Sequence, residues 1–452
     1  MANVITNIFK AKDIRNRVLF TLWILVVYRL GAHIPIPGID VEALNQVFDS
    51  FKGAAGTFVN YFDMFAGGAF KRFTVFSLGI MPYISASIIM QLLTIVFPYF
   101  EKLKKEGSEG QKKIQKYTKY FTVVLCLFQS FFIAQMLQGL GQEKGIEIVS
   151  GGSSVFFFIL CSITITTGTM VLMWLGEQIT EKGIGNGISM IIYAGIIVRF
   201  PAAIAQTMQK IFSKGEPIVA MILVVMFFGV VAASILLTLG RRNIPVQYGA
   251  RQIQGRSVSA AAQNLPIPVN AAGVIPIIFA VAIMQFPSQI AAQITKYYSV
   301  DKSGIISTVL FYLSPGQIPY YLTYTALLVF FCFFYAPITF NPADVADALK
   351  KRQGFIPGLR PGSSTTEYLS NVLYRLTLSG SLFLAFIALI PDFILKMWPD
   401  EISAEMAFMF GGTSLLIIVG VALDTLKNLE SHLIMRHYDG FFKNMKIKSR
   451  RQ

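Results

Sequence analysis

Long apolar runs separated by short polar and basic stretches fill most of this chain. A helix that crosses about 30 Å of hydrocarbon needs about 20 mostly apolar residues, because each residue rises about 1.5 Å. Apolar cores of that kind are predicted near residues 18–36, 73–98, 120–140, 153–176, 184–206, 217–239, 270–293, 317–338, 369–391 and 404–424. Ten spans follow. Arg29, Arg199 and Arg375 interrupt or bound the first, fifth and ninth, whose charge-free cores are short. The apolar stretches 257–295 and 303–343 exceed one span, so each must also hold a loop at a membrane surface.

Composition agrees with lipid as the main solvent: 54% of the 452 residues are hydrophobic and only 14% are charged. Cys126, Cys161 and Cys332 all fall inside apolar stretches, where a thiol acts as a small hydrophobe. No disulfide framework or zinc spacing is present. The basic start of the chain leads through an apolar run to His33-Ile34-Pro35-Ile36-Pro37 rather than to a small-residue cleavage site, so a retained first span is expected.

The charge pattern orients the spans. With the N-terminus inside, alternate connections hold 27 Lys and Arg, against 8 in the outside connections. Lys and Arg accumulate on the cytoplasmic side, so both termini are expected there. The net charge of +15 is in the main a topology signal.

Two halves of five spans with opposite orientation are suggested by paired motifs. Gly79-Ile80-Met81-Pro82-Tyr83-Ile84 in span 2 matches Gly273-Val274-Ile275-Pro276-Ile277-Ile278 in span 7. Gly187-Ile188-Ser189-Met190-Ile191-Ile192 in span 5 matches Gly412-Thr413-Ser414-Leu415-Leu416-Ile417 in span 10. Apolar helices share such patterns by chance, so the motifs alone leave the repeat open.

Ion-coupled transporters place ionisable residues near the bilayer centre. Asp392, Asp424 and Glu177 lie at span ends instead, and His33, His432 and His437 lie outside the apolar cores. No HExxH, nucleophile elbow or P-loop occurs, which argues against a membrane enzyme and against a bound cofactor. Aliphatic side chains take the place of charges. An apolar constriction gates by dewetting and binds no ion, and Ile80, Ile84, Ile188, Ile192, Ile278 and Ile417 are candidates for one, against ordinary packing in lipid.

Residues 61–72 precede span 2 and include Phe62, Met64, Phe65, Gly67, Gly68, Lys71 and Arg72. They are too few to span. Amphipathicity favours a helix on the outer surface; a short helix folded back into the protein is the alternative. On span 2, Ser87, Gln91 and Thr94 make one polar face, suited to interhelical hydrogen bonds or to a wet interior. Two cytoplasmic loops, about 240–269 and 341–369, carry Arg241, Arg242, Arg251 and Arg256, then Lys350, Lys351, Arg352 and Arg360. The positive-inside rule explains their charge but not their length. Glycines and prolines flanking Arg360 suggest a rigid tip that presents it to a partner.

The residues resemble those of the SecY/Sec61-alpha family of protein-conducting channels over nearly the whole chain. The resemblance is carried by Ile34-Pro35-Ile36-Pro37-Gly38-Ile39-Asp40, Met64-Phe65-Ala66-Gly67-Gly68, the run from Leu78 to Leu93, Lys104-Lys105-Glu106-Gly107, Met173 to Ser189, Val269 to Phe279, Pro357 to Gly362 and Phe410 to Leu416. Gly176-Glu177-Gln178-Ile179-Thr180-Glu181-Lys182-Gly183-Ile184-Gly185-Asn186-Gly187 is the most specific single match.

The resemblance implies an all-α membrane protein of ten transmembrane helices in two inverted, pseudo-symmetric five-helix halves around a central pore. The halves would be residues 1–206 and 207–424, followed by a basic cytoplasmic tail, 425–452. It makes 61–72 a plug, which reverses the surface-helix preference, and makes the six isoleucines a pore ring. It places a lateral gate between spans 2 to 3 and 7 to 8, with Ser85, Ser87 and Gln91 facing Gln129, Asn270 and Phe286. The basic loops would dock the SecA motor or a translating ribosome. Implied partners also include the small subunits SecE and SecG, signal peptides, precursor polypeptides and lipid, in a bacterial inner membrane. Asn243 and Pro245 depart from the usual family pattern of a basic residue and an aliphatic one. The competing function, from another class, is secondary transport of a small solute.

Overall fold

The structure, a computed structural model, describes residues 12–49, 59, 63–144, 154–214, 217–248, 251–253, 256–258, 263–281, 283–284, 317–398 and 412–444. It divides into two compact units: Met1–Ala205 with Val421–Gln452, and Gln206–Gly420.

The first unit holds α1 (Lys12–Gly31), α2 (Val41–Asp49), α3 (Met81–Val96), α4 (Pro98–Lys105), α5 (Ser108–Lys144), α6 (Ser154–Lys182) and most of α7 (Gly187–Lys214). Helix α6 packs on α1, α3 and α5, and α5 also packs on α2, α3 and α4. Proline punctuates these helices. Pro82 stands in the first turn of α3, where its missing N–H costs nothing. Phe97 ahead of Pro98 is extended, as the proline ring requires, so α4 leaves α3 at a bend of 97°. The expected first span ends early: α1 stops at Gly31, and Pro35 then bridges to Thr74 as extended chain.

The second unit holds α8 (Pro217–Leu239), β1 (Arg241–Tyr248), β2 (Arg251–Ile253), β3 (Arg256–Val258), β4 (Gln263–Pro268), a helical stretch at 275–281, α9 (Ile318–Thr339), α10 (Pro342–Lys351), β5 (Gly354–Phe355) and α11 (Ser363–Met397). A last helix, α12 (Gly412–Asn444), begins here and continues into the residues grouped with the first unit.

Among the described residues six helices are long and apolar enough to cross a membrane, or seven if α3 and α4 form one bent span. The predicted spans at 270–293 and 404–424 lie partly outside the described residues. Ile218, Met221, Val225, Phe228 and Leu236 of α8 are each exposed by well over half. An apolar face of that extent is solvated by lipid, which makes this a multi-pass membrane protein.

The two predicted loops meet. Strand β1 pairs antiparallel with β4 on one edge and with β5 on the other, in the order β4-β1-β5. Along β1 Ile244 and Val246 face inward and alternate with exposed Asn243, Pro245 and Gln247, the period of two that a half-buried strand requires. Their inner face joins Ile267, Leu349, Ile356 and Leu369 in one apolar core. Burying each such side chain is worth about 1.5–3 kcal/mol, enough for a small sheet resting on α10 and α11.

Candidate functional site

The segment between α2 and α3 is folded into the first unit rather than laid on its surface. Met64, Phe65, Ala66, Ala69 and Phe70 are all buried, so the preference for a surface helix is corrected. An amphipathic surface helix would leave one face to lipid or water. Here one helix holds the segment by its backbone at two consecutive residues: Tyr28 Oη of α1 donates to the Ala66 carbonyl at 3.3 Å, and Arg29 Nη1, also of α1, donates to the Gly67 carbonyl at 2.7 Å. Gly67 needs to be glycine, because its φ is +65° and a Cβ there would lie 2.7 Å from Tyr28 Oη and 2.9 Å from Gly195 Cα of α7.

Asp63 organises the whole segment. Its side chain is fully buried and accepts from the Lys71 backbone N–H at 2.9 Å, its carbonyl accepts from Gly68 N–H at 2.9 Å, and its other carboxylate oxygen pairs with Arg199 of α7. Along the chain Asp63 does not stand out, and Arg29 and Arg199 read only as interruptions of spans. A signal was present: an acid in an apolar segment beside spans that each carry one arginine implies pairing, since an unpaired charge there is costly. Of the other residues assigned to this segment, Lys71 and Arg72 lie on turns at its end, Gly68 has a φ of +88°, and Phe62 lies outside the described residues.

Four of the six candidate ring residues occur as two i, i+4 pairs. Ile80 caps α3 and accepts, at its carbonyl, the N–H of Ile84; both side chains are buried. Ile188 and Ile192 share one face of α7, the first half-buried and the second buried. In the second unit, Ile278 is half-buried in the 275–281 helix and Ile417 is buried on α12.

Of the candidate gate residues, Ser85 and Gln129 are buried on α3 and α5, which pack together. Gln91 Nε2 donates to Ser87 Oγ at 3.3 Å within α3, and Thr94 Oγ1 donates to the Gln91 carbonyl at 2.6 Å. The polar face of span 2 is thus tied partly to itself. Gln129 Oε1 is buried with no hydrogen-bond partner. Asn270 Nδ2 donates to the Gly273 carbonyl at 3.1 Å in the second unit, and Phe286 lies outside the described residues.

The basic residues fall on two separate sheets, one helix end and one turn. Arg241 and Arg242 open β1 and are exposed, Lys350 and Lys351 close α10 and are exposed, and Arg251 and Arg256 stand on β2 and β3, which pair with each other. Arg360 is exposed at a stiff tip. Leu359 N–H donates to the Ile356 carbonyl at 3.0 Å, Thr365 Oγ1 donates to the Arg360 carbonyl at 2.9 Å, and Thr366 N–H donates to the Gly362 carbonyl at 3.1 Å. Gly358 and Gly362 have φ of +84° and +118°, which a side chain would resist. Among the described residues no group of three His, Cys, Asp or Glu could hold a metal ion.

Known proteins share this architecture and sequence. A solved protein-conducting channel superimposes with a TM-score of 0.64 at 20% identity, covering 92% of each chain. A SecY structure described in terms of its plug domain gives 0.61 at 19%, and Sec61 from a canine ribosome–channel complex gives 0.61 at 18%, each also covering 92% of both chains. In sequence, the protein translocase subunit SecY of Vibrio cholerae is 43% identical over 439 residues, 96% of this chain and 95% of that one. The same subunit of Escherichia coli K12 is 44% identical over 438 residues, again 96% and 95%. The profile of the SecY family matches residues 74–426. By that match, by identity above 40% along almost its whole length and by its fold, this chain belongs to the SecY family.

Proposed function

We propose that this chain is a protein-conducting channel, which passes unfolded secretory polypeptides across the bacterial plasma membrane and releases hydrophobic segments sideways into lipid. The observation that carries the reading is likeness from end to end to proteins named translocase subunit SecY, at 43% and 44% identity over 96% of the chain. Membership so complete favours the whole activity rather than a borrowed domain.

In this reading residues 61–72 are the plug, the six isoleucines form the seal around a passing chain, and Ser85, Ser87, Gln91, Gln129, Asn270 and Phe286 line the lateral exit. The resting state of the neighbouring SecY is described as stabilised by its plug, and the burial of residues 63–70 here supports the same role. The joined basic sheet and the Arg360 tip would dock SecA or a ribosome; solved relatives include ribosome-bound channels. SecE and SecG would complete the complex, and both termini would face the cytoplasm. The driving work comes from those partners, and no catalytic step is assigned to this chain.

Reconstitution of the chain with SecA, SecE and SecG into vesicles tests the proposal. ATP-dependent uptake of a signal-bearing precursor, absent for the same precursor without its signal, is the expected result. Saturable uptake of a small solute, with no precursor transport, would instead support the transporter.

A further inference from the structure

Asp63 is the one acid within residues 61–72, and its side chain is fully buried. It pairs with Arg199 directly, and Arg72 and Arg199 are in turn electrostatic neighbours of Arg29. Arg199 is four residues beyond Gly195, so one face of α7 supplies both the flat floor under Gly67 and the charge that meets Asp63. Helix α1 supplies the second hold, through Tyr28 and Arg29 on consecutive carbonyls.

We infer that Asp63 and Arg199 are positioning residues that latch the plug to α7, so that the channel opens only when the ion pair between buried Asp63 and half-buried Arg199 is broken. The inference rests on residues 61–72 being the plug. A carboxylate withdrawn from its guanidinium must be rehydrated elsewhere, and Arg199, left in the wall, loses its counter-charge. An ion pair is costly to break one partner at a time and cheap to replace as a whole. The latch therefore makes a distinctive prediction, in which the two neutral variants are worse apart than together.

The full chain in its complex with the small subunits is reconstituted into planar bilayers, and resting ion conductance is read with no precursor present. Asp63→Asn and Arg199→Gln should each raise it by about tenfold or more, since one partner is left charged and buried. The double variant should lie below the product of the two effects, and Arg199→Lys, which keeps the charge, should stay near wild type. A second measurement follows the segment itself. Met64 is buried and all three native cysteines are buried, so a Met64→Cys chain should react slowly with a membrane-impermeant maleimide and faster once Asp63→Asn is added.

Deletion of residues 61–72 separates the two ideas. If the deletion leaks but Asp63→Asn and Arg199→Gln seal as wild type does, the latch is wrong and the plug stands. If the deletion itself does not leak, the plug assignment falls and the latch with it. Effects of the two single variants that simply multiply in the double variant would also overturn the pairing.

Discussion

Tyr248 on β1 stands opposite Gly354 on β5 in antiparallel register, and through this contact two basic loops a hundred residues apart become one surface. A Cβ at Gly354 would lie 2.8 Å from Tyr248 Cε1, so the strands meet only because position 354 has no side chain. Charge on one loop is thereby held at a set position relative to charge on the other.

Gly354→Val should part β5 from β1 without removing a single charge, since overpacking of this kind costs about 1–3 kcal/mol. SecA-driven precursor transport should fall several-fold while the protein accumulates normally in the membrane. Transport at the wild-type rate would show that the two loops work separately.

Arg360 sits on a tip whose backbone is tied at Leu359, Thr365 and Thr366. An arginine on a stiff support offers directional, bidentate contacts to an acidic partner. Arg360→Glu should abolish SecA-driven transport, and Arg360→Lys should keep part of it, with assembly unchanged in both. A stable Arg360→Glu protein that transports normally removes this residue from the proposed docking surface.

Gly67→Ala combines backbone strain, about 1–2 kcal/mol for a side chain at positive φ, with a collision against Tyr28 Oη and Gly195 Cα. The seat of the proposed plug should loosen, and resting conductance should rise about tenfold for each 1.4 kcal/mol lost. Gly38→Ala is the control, because Gly38 has a φ of +86° but no atom within 4 Å of the added Cβ. Equal conductance in the two variants would mean that strain alone, not the seat, is being measured.

Gln91→Leu and Asn270→Leu each delete a hydrogen bond of about 0.6 kcal/mol for a membrane interior, to Ser87 Oγ and to the Gly273 carbonyl. Both also make the proposed exit more apolar. In a graded series of Leu/Ala test segments, the midpoint between insertion and secretion should shift the same way for both variants, with little loss of total translocation. Midpoints identical to wild type would sink the gate assignment.

Much of this protein is legible along the chain because lipid imposes a local rule. Any run of about 20 apolar residues must satisfy its own backbone, so helices appear where such runs occur. Proline at 82 and 98 marks helix starts by its own stereochemistry. The glycine-rich run ending at Gly187 and the Pro357–Gly362 tip carry the family likeness without any tertiary knowledge.

Tertiary structure decided matters that depend on residues far apart in the sequence. Residues 61–72 read as amphipathic in isolation, and only Tyr28, Arg29, Gly195 and Arg199, brought together from two spans, make burial of residues 63–70 favourable. Arg199 looks like a flaw in an apolar run until Asp63, 136 residues away, meets it. Two loops likewise become one sheet because Ile244, Val246, Ile267 and Ile356 find a common core on α10 and α11. Local pattern determines which segments leave water; the pairing of buried charges and strand edges is decided by which distant partner the fold brings near, since each unsatisfied group must find one.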